Sequence, residues 1–207
     1  MSHIKKLAII SGSTRPNRVG PSVAKWVLDL IKSDQSLQNF EVATVDIASF
    51  PLPPFDEPTH PMMVRDLNQF TNPAARAWNQ EISKYDAYIL TSPEYLSGVP
   101  GALKNAIDFL FHAWTGKPVM IVTYGIFGGV QASSQLRQIL GAGSRMRVVD
   151  VSPRLEFPGR DEKKDNTSPA LFQALSGAIS VETFEFWGKK SEEVLAGCRE
   201  LLRSLET

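Results

Sequence analysis

Five short apolar runs punctuate the chain: KLAIIS (6–11), FEVATVD (40–46), AYILTS (87–92), VMIVTY (119–124) and RVVDVS (147–152). Side chains of a strand point alternately to its two faces, so a half-buried strand alternates apolar with polar residues, whereas one covered on both faces stays apolar throughout. The first, third and fourth runs are nearly unbroken Ile, Val, Leu, Ala and Tyr and read as buried strands of a parallel sheet. Between the runs the spacing becomes helical. Val23, Val27, Leu30 and Ile31 form a stripe in 21–33, where Pro21 suits a first turn, and Leu103, Ile107, Leu110 and Phe111 form one in 100–114. Segments 72–85 and 130–143 repeat the pattern, the second stopping near Gly141. Segment 191–206 places Val194, Leu195, Cys198, Leu201, Leu202 and Leu205 on one face.

Strand and helix thus alternate five times, which predicts right-handed crossovers and an open, doubly wound α/β sheet with helices on both faces. Five strands favour the order 2-1-3-4-5 over the six-stranded dinucleotide-binding arrangement. One domain over residues 1–207 is expected, without internal repeats. Two stretches fall outside the alternation: 48–73, with six prolines, and 153–170. Loops of that length are usually functional, interfacial or disordered.

Composition adds exclusions. Twenty-two Lys and Arg balance 22 Asp and Glu, so no net field favours nucleic acid, and any anion site must be built locally. Cys198 has no partner for an internal disulfide, the N-terminal apolar run is too short for a signal peptide, and no stretch approaches the roughly 20 apolar residues of a membrane span. A cytoplasmic protein without membrane attachment is the expectation. His3, His60 and His112 show no metal-ligand spacing, so no metal is expected.

In a doubly wound sheet the ligand lies beyond the carboxyl ends of the strands, near the switch between strands one and three. GSTRPNRVG (12–20) follows the first strand and offers the hydroxyls of Ser13 and Thr14, preceded by Ser11, with the cations of Arg15 and Arg18 and amides freed by a Gly12 turn. These stand just ahead of a helix start, which is how an anion site is made; an ordinary strand-to-helix turn with solvated arginines is the plainer alternative. The loop lacks the G-x-x-x-x-G-K-[ST] of a P-loop. It also lacks the third glycine of G-x-G-x-x-G, and the nearest strand-end acid, Asp46, is well beyond the roughly 20 residues that fingerprint requires. PEYLSGVPG (93–101) has the rigid, close-approach composition that suits a flat heterocycle, an isoalloxazine or a purine, or simply a stiff connector in which Tyr95 packs on the core. YGIFGGV (124–130) brings glycines to the same edge, for close approach to a ligand or as a flexible turn.

Together, GSTRPNRVGPSVAKWV, SPEYLSGVPGALKNAIDFL and GKPVMIVTYGIFGGV resemble the NAD(P)H-dependent FMN reductase family of flavodoxin-like fold, in particular its fungal quinone-reductase branch, over residues 4–152. The resemblance implies a three-layer flavodoxin-like sandwich, noncovalent FMN, NADPH or NADH as co-substrate, and a homodimer or homotetramer. It also implies ping-pong transfer of two electrons to quinones, with free flavin, azo dyes and metal oxyanions among further acceptors. Carried over by position, Ser13, Arg15 and the Arg18-Val19-Gly20 turn would hold the FMN phosphate. Pro93, Glu94, Tyr95, Leu96 and Ser97 would line the isoalloxazine, and Tyr124, Gly125, Gly128 and Gly129 would flank it, with amides from 124–129 near its N1 and O2. Many relatives have a small polar residue near position 18 and Asn at 96, where this chain has Arg18 and Leu96.

The cofactor performs the chemistry in such enzymes, so no catalytic acid, base or nucleophile is expected. A flavodoxin-type electron carrier and a flavin-linked regulator are the competing functions, and the neutral charge disfavours an acidic carrier. Cys198 reads as core. Asn105, Asp108 and His112 read as one polar helix face or a subunit contact, and Trp26, Trp78, Trp114 and Trp187 as packing or interface residues, Trp114 near a neighbouring subunit's site.

Overall fold

The computed structural model describes residues 4–38 and 40–206, so His3 lies outside the described residues. Strands β1 (Lys5–Ser11), β2 (Phe40–Asp46), β3 (Ala87–Pro93) and β4 (Pro118–Gly125) form at the apolar runs. They are parallel neighbours in the order β2-β1-β3-β4, and β5 (Arg147–Val148) extends the order beyond β4. Buried positions serve two layers in turn: Leu7, Ile9, Ile89 and Val122 join one core, and Ala8, Ile10, Leu90 and Ile121 the other. Helices α1 (Gly20–Ser33) and α7 (Ser191–Glu206) cover the first face; α2 (Pro73–Ser83), α3 (Gly101–Asp108) and α4 (Val130–Gln138) cover the second. This is the three-layer flavodoxin-like sandwich in the expected order.

The fifth strand departs from the expected 147–152. After β5 the chain leaves the sheet and returns as β6 (Arg154–Glu156), which pairs with the same strand β4 farther along. The excursion is held from both layers. Arg137 on α4 donates to the Val149 and Asp150 carbonyls and to Ser152 Oγ, while Glu200 on α7 accepts the Asp150 and Val151 amides. The expected helix over 100–114 likewise stops at Asp108, and the chain runs on through the buried Phe109, Leu110 and Phe111 outside the helix.

Stretch 153–170 is more structured than a loop, leading from β6 toward α5 (Pro169–Leu175) and α6 (Val181–Gly188), neither of which was expected. Ser168 and Ser180 cap them by accepting the Leu171 and Thr183 amides. Trp187 anchors this region: fully buried, it donates Nε1–H to the Glu156 carbonyl at 2.6 Å and packs against Trp26, Phe157 and Phe184. Truncating such a ring to alanine costs about 3–5 kcal/mol. Trp114 is buried edge-on against Tyr88, in the core rather than at a surface.

The proline-rich stretch 48–73 is pinned. Buried Glu57 accepts the Thr71 and Asn72 amides and the Thr71 hydroxyl. Asn105 donates to the Pro53 carbonyl and accepts the Phe55 amide, and His112, beyond the end of α3, contacts the Met62 carbonyl and Arg65. Asn105 and His112 therefore fasten this stretch, whereas Asp108 pairs with Lys104 on its own helix.

Candidate functional site

The parallel sheet brings the three singled-out loops to one carboxyl edge, around a cavity of about 190 Å³. Arg15, Arg18 and Val19 line it from the first loop, Pro93, Glu94 and Tyr95 from the second, and Tyr124 and Gly125 from the end of β4. Ser13, Gly20, Leu96, Ser97, Gly128 and Gly129 lie outside this lining. A larger cavity of about 390 Å³ adjoins the far side of the first loop, between Thr14, Phe50, Leu52 and Asn105. It offers less for polar recognition, since the Asn105 amide already holds Pro53 and Phe55.

At the first loop, α1 begins without a side-chain cap and without an acidic residue in its first turn. Its amide ends carry partial positive charge and lack the usual acceptor. The Gly12 amide is not free as expected, because it donates to the Thr91 carbonyl at 2.8 Å. Among the described residues, the amides of Ser13, Thr14 and Arg15 find no acceptor in the chain. Beneath this turn, the side-chain oxygens of Ser11, Ser13 and Tyr124 are buried and lack hydrogen-bond partners. Leaving one such group unpaired costs about 1–3 kcal/mol. They converge where Gly20 has no side chain: a Cβ there would stand 2.3 Å from Ser13 Oγ, 2.6 Å from Ser11 Oγ and 3.1 Å from Tyr124 Oη. Burial pushes the Tyr124 phenol well above its ordinary pKa, outweighing nearby Ser13, Arg18 and Arg15, so it stands here as a neutral donor.

The two arginines differ in their commitments. Arg18 Nη2 lies 2.5 Å from Asp46 Oδ2, which cancels much of its charge, while its Nε is buried and unpaired. Arg15 is exposed and bonds the Asn17 carbonyl at 2.8 Å and the Leu175 carbonyl of α5 at 3.5 Å.

At the second and third loops, Glu94 points away from a simple lining role. Its Oε2 accepts the Gln131 and Ala132 amides at 2.7 and 2.9 Å, capping α4 and tying the two loops together. Gln135 of α4 adds a second tie, accepting the Val99 amide and donating to the Ser97 carbonyl. Tyr95 is exposed at the rim rather than packed in the core. Gly128 and Gly129 adopt left-handed φ of 69° and 75°, and their absent Cβ atoms would meet Arg154 and Thr123. The turn and its packing therefore require glycine at both positions. The Gly128 amide closes that turn on the Gly125 carbonyl; among the described residues the Ile126 and Phe127 amides have no such partner.

The sequence reading missed the fourth wall, Phe157 with Leu171, Ala174 and Leu175 of α5. Its signal was present: Ser168 at an N-cap, Pro169 in the first turn, and Leu171 and Ala174 three apart. Cys198 is buried against α1 and β4, its thiol pushed up to about 12 by burial, so it is an inert core residue. Among the described residues, no group of three or more His, Cys, Asp or Glu is placed to hold a metal ion, and no helix is long and apolar enough to cross a membrane.

The sequence model of the NADPH-dependent FMN reductase family matches residues 5–153. An NAD(P)H-dependent FMN reductase of a Nectria species is 36% identical over 204 residues, 97% of each chain, a span long enough to reach into the α5 wall that the family model omits. A quinone reductase of Pseudomonas putida is 31% identical over 148 residues, covering 68% of this chain and 72% of that one. Among solved structures, the flavoenzyme NAD(P)H:(acceptor) oxidoreductase FerB of Paracoccus denitrificans aligns with a TM-score of 0.66 at 19% identity, covering 96% of this chain and 98% of that one, a likeness of fold. With its sheet order, its loops and these matches, the chain belongs to the NADPH-dependent FMN reductase family, oxidoreductases that work with FMN and NAD(P)H.

Proposed function

We propose that this enzyme passes two electrons from NAD(P)H through bound FMN to quinones, using one open site in turn for the nicotinamide and for the acceptor. The observation that carries the reading is the uncapped start of α1 with three unpaired hydroxyls beneath it, beside loops that leave room for a flat ring. Ser13, Arg15 and the Arg18-Val19-Gly20 turn would hold the phosphate, with Arg18 contributing through its unpaired Nε rather than as a free cation.

FMN, when bound, supplies the hydride acceptor and the two-electron store. The chain binds and orients it. Pro93 to Ser97 would lie along the ring, with their backbone held by Glu94 and Gln135, and Tyr124, Gly125, Gly128 and Gly129 would close the other side. The Ile126 and Phe127 amides are the donors available to the polar edge of the ring. The apolar wall of Phe157, Leu171 and Leu175 excludes water, and the exposed Tyr95 leaves a rim open to an aromatic acceptor. The P. putida relative named quinone reductase supports the acceptor class. Free flavin, azo dyes and metal oxyanions are further acceptors, and a homodimer or homotetramer is the assembly of this reading.

The test begins with the purified protein: a yellow preparation that releases FMN on denaturation, bleaches under anaerobic NADPH or NADH and recovers its colour with a quinone is the expected result. Initial rates at several quinone concentrations should give parallel double-reciprocal lines. A colourless protein that cannot be reconstituted with FMN, or a flavin that NAD(P)H does not bleach, overturns the reading.

A further inference from the structure

The geometry points to Arg160, stacked on Phe127 at the mouth of the cavity, as the residue that takes the 2′-phosphate of NADPH and so sets a preference for NADPH over NADH. The inference rests on the reading that the nicotinamide is used at this cavity, and it adds a subsite for the adenosine end that the three loops do not contain.

NADPH differs from NADH by one phosphate on the adenosine ribose, so choosing between them takes a cation beside the cavity and outside the part that holds the ring. Phe127 follows the cavity-lining Ile126 and is 46% exposed. Arg160 comes three residues after Phe157, another wall residue, and its guanidinium carbon lies 4.8 Å from the centre of the Phe127 ring. The backbone fixes Arg160 from both sides. Gly159 turns with a left-handed φ of 74°, and beyond Arg160 the loop is closed by the Asp161 amide on the Thr167 carbonyl at 3.1 Å. The ring covers one face of the guanidinium and leaves its N–H edge for a planar, bidentate pair, the geometry in which arginine takes a phosphate.

The neighbouring charges are committed or balanced. Arg154 and Glu156 share the exposed side of β6, two residues apart, and offset each other. Arg15 reaches the Asn17 and Leu175 carbonyls, and Arg18 is drawn to Asp46. Glu162 stands 3.9 Å from Arg160 Nη2, beyond hydrogen-bond reach and mostly exposed, so it offsets the Arg160 charge only weakly.

Arg160→Gln removes the charge at similar length, and Arg160→Glu reverses it; the residue is exposed, so both variants should melt with wild type. Holoprotein is titrated by calorimetry with adenosine 2′,5′-bisphosphate, which carries the 2′-phosphate without the nicotinamide, and with 5′-AMP, which lacks it. KM is measured for NADPH and NADH at a fixed quinone concentration. Wild type should bind the bisphosphate more tightly than AMP. Arg160→Gln should raise the Kd for the bisphosphate and the KM for NADPH about tenfold, the effect of one lost charged hydrogen bond, and leave kcat and the values for NADH and AMP unchanged. Arg160→Glu should raise both further. Equal losses for the two nucleotides, or no loss for either, overturn the inference, as does a wild type that binds the bisphosphate no better than AMP. In each of those cases bleaching of the flavin by either nucleotide leaves the FMN reading standing. A flavin that neither nucleotide bleaches overturns that reading, while the bisphosphate titration still decides the role of Arg160.

Discussion

Two helices, α1 and α4, start at the same edge of the sheet and present the same problem: amide hydrogens without acceptors and a partial positive charge. At α4 the chain solves it internally, with the Glu94 carboxylate on two amides. At α1 it supplies neither a cap nor an acid, and it places unpaired hydroxyls below. Helix α3 also lacks a side-chain cap, but among the described residues no unpaired buried hydroxyl faces it. A missing cap alone is therefore not the signature of a site. The combination marks the candidate site: a bare helix start together with buried hydroxyls beneath it.

The largest effect should come from erasing the contrast. Val19 stands at the N-cap of α1, and Val19→Asp would give α1 the carboxylate that α4 already has. Two unit charges about 5 Å apart repel by roughly 3 kcal/mol at an effective dielectric near 20. FMN affinity should fall more than about 100-fold relative to Val19→Asn, which has the same shape without the charge. Similar FMN affinities for the two variants would mean that the phosphate lies elsewhere. Both lose the packing of buried Val19, so the Asn variant, not wild type, is the reference.

The opposite manipulation removes the acid from α4. Glu94→Ala deprives the Gln131 and Ala132 amides of their acceptor and cuts the tie between two loops. Unfolding stability should drop by about 2 kcal/mol, the upper end of cap deletions, read from the urea midpoint at constant m. A drop below about 0.5 kcal/mol would show that α4 needs no internal acid.

This contrast explains which features were legible in the sequence. Buried strands announce themselves because both faces are apolar, and KLAIIS, AYILTS and VMIVTY placed β1, β3 and β4; the order of the sheet followed from their alternation with helices. The loops of the site followed from their position after those strands. The division of labour within the loops did not. Glu94 as a cap, Arg18 held by Asp46, and the glycines fitted against Arg154 and Thr123 all depend on partners distant in sequence. The break between β5 and β6 was hidden for the same reason, since Arg137 and Glu200 approach it from opposite layers. Helices α5 and α6 are different: their capping serines were visible, and their short apolar stripes did not stand out from a polar stretch.

A third helix start sharpens the comparison through pH. Just before α2, buried Glu57 accepts the Thr71 and Asn72 amides. Burial alone would raise its pKa, but those amides, the Thr71 hydroxyl and nearby Arg76 outweigh it and hold the carboxyl below its ordinary value of 4.5. A carboxyl with a depressed folded pKa stabilises the protein above its unfolded pKa, and that contribution is lost as pH falls through the folded value. Glu57→Gln should cost about 1.5 kcal/mol at neutral pH, with the gap to wild type closing below about pH 4.5. A gap that stays constant down to acid unfolding would mean that Glu57 acts by shape rather than charge.

The smallest effect concerns the turn that α4 holds through Gln135. Tyr95 and Gly98 exchange hydrogen bonds of 3.0 Å across Leu96 and Ser97, both left-handed with φ of 48° and 58°. This is the two-residue hairpin geometry that Asn-Gly adopts readily, whereas a leucine there is strained by about 1 kcal/mol. The Leu96 side chain is fully exposed, so no packing offsets the strain. Leu96→Asn should therefore raise stability by about 0.5–1 kcal/mol, with Ser97→Gly adding in the same direction. The gain belongs to the end of the sheet that the chain completes by itself and should appear in apoprotein as in holoprotein. A gain confined to one of the two forms would tie the strained turn to the ligand, and α4 would no longer stand as the helix start that the chain satisfies independently of its site.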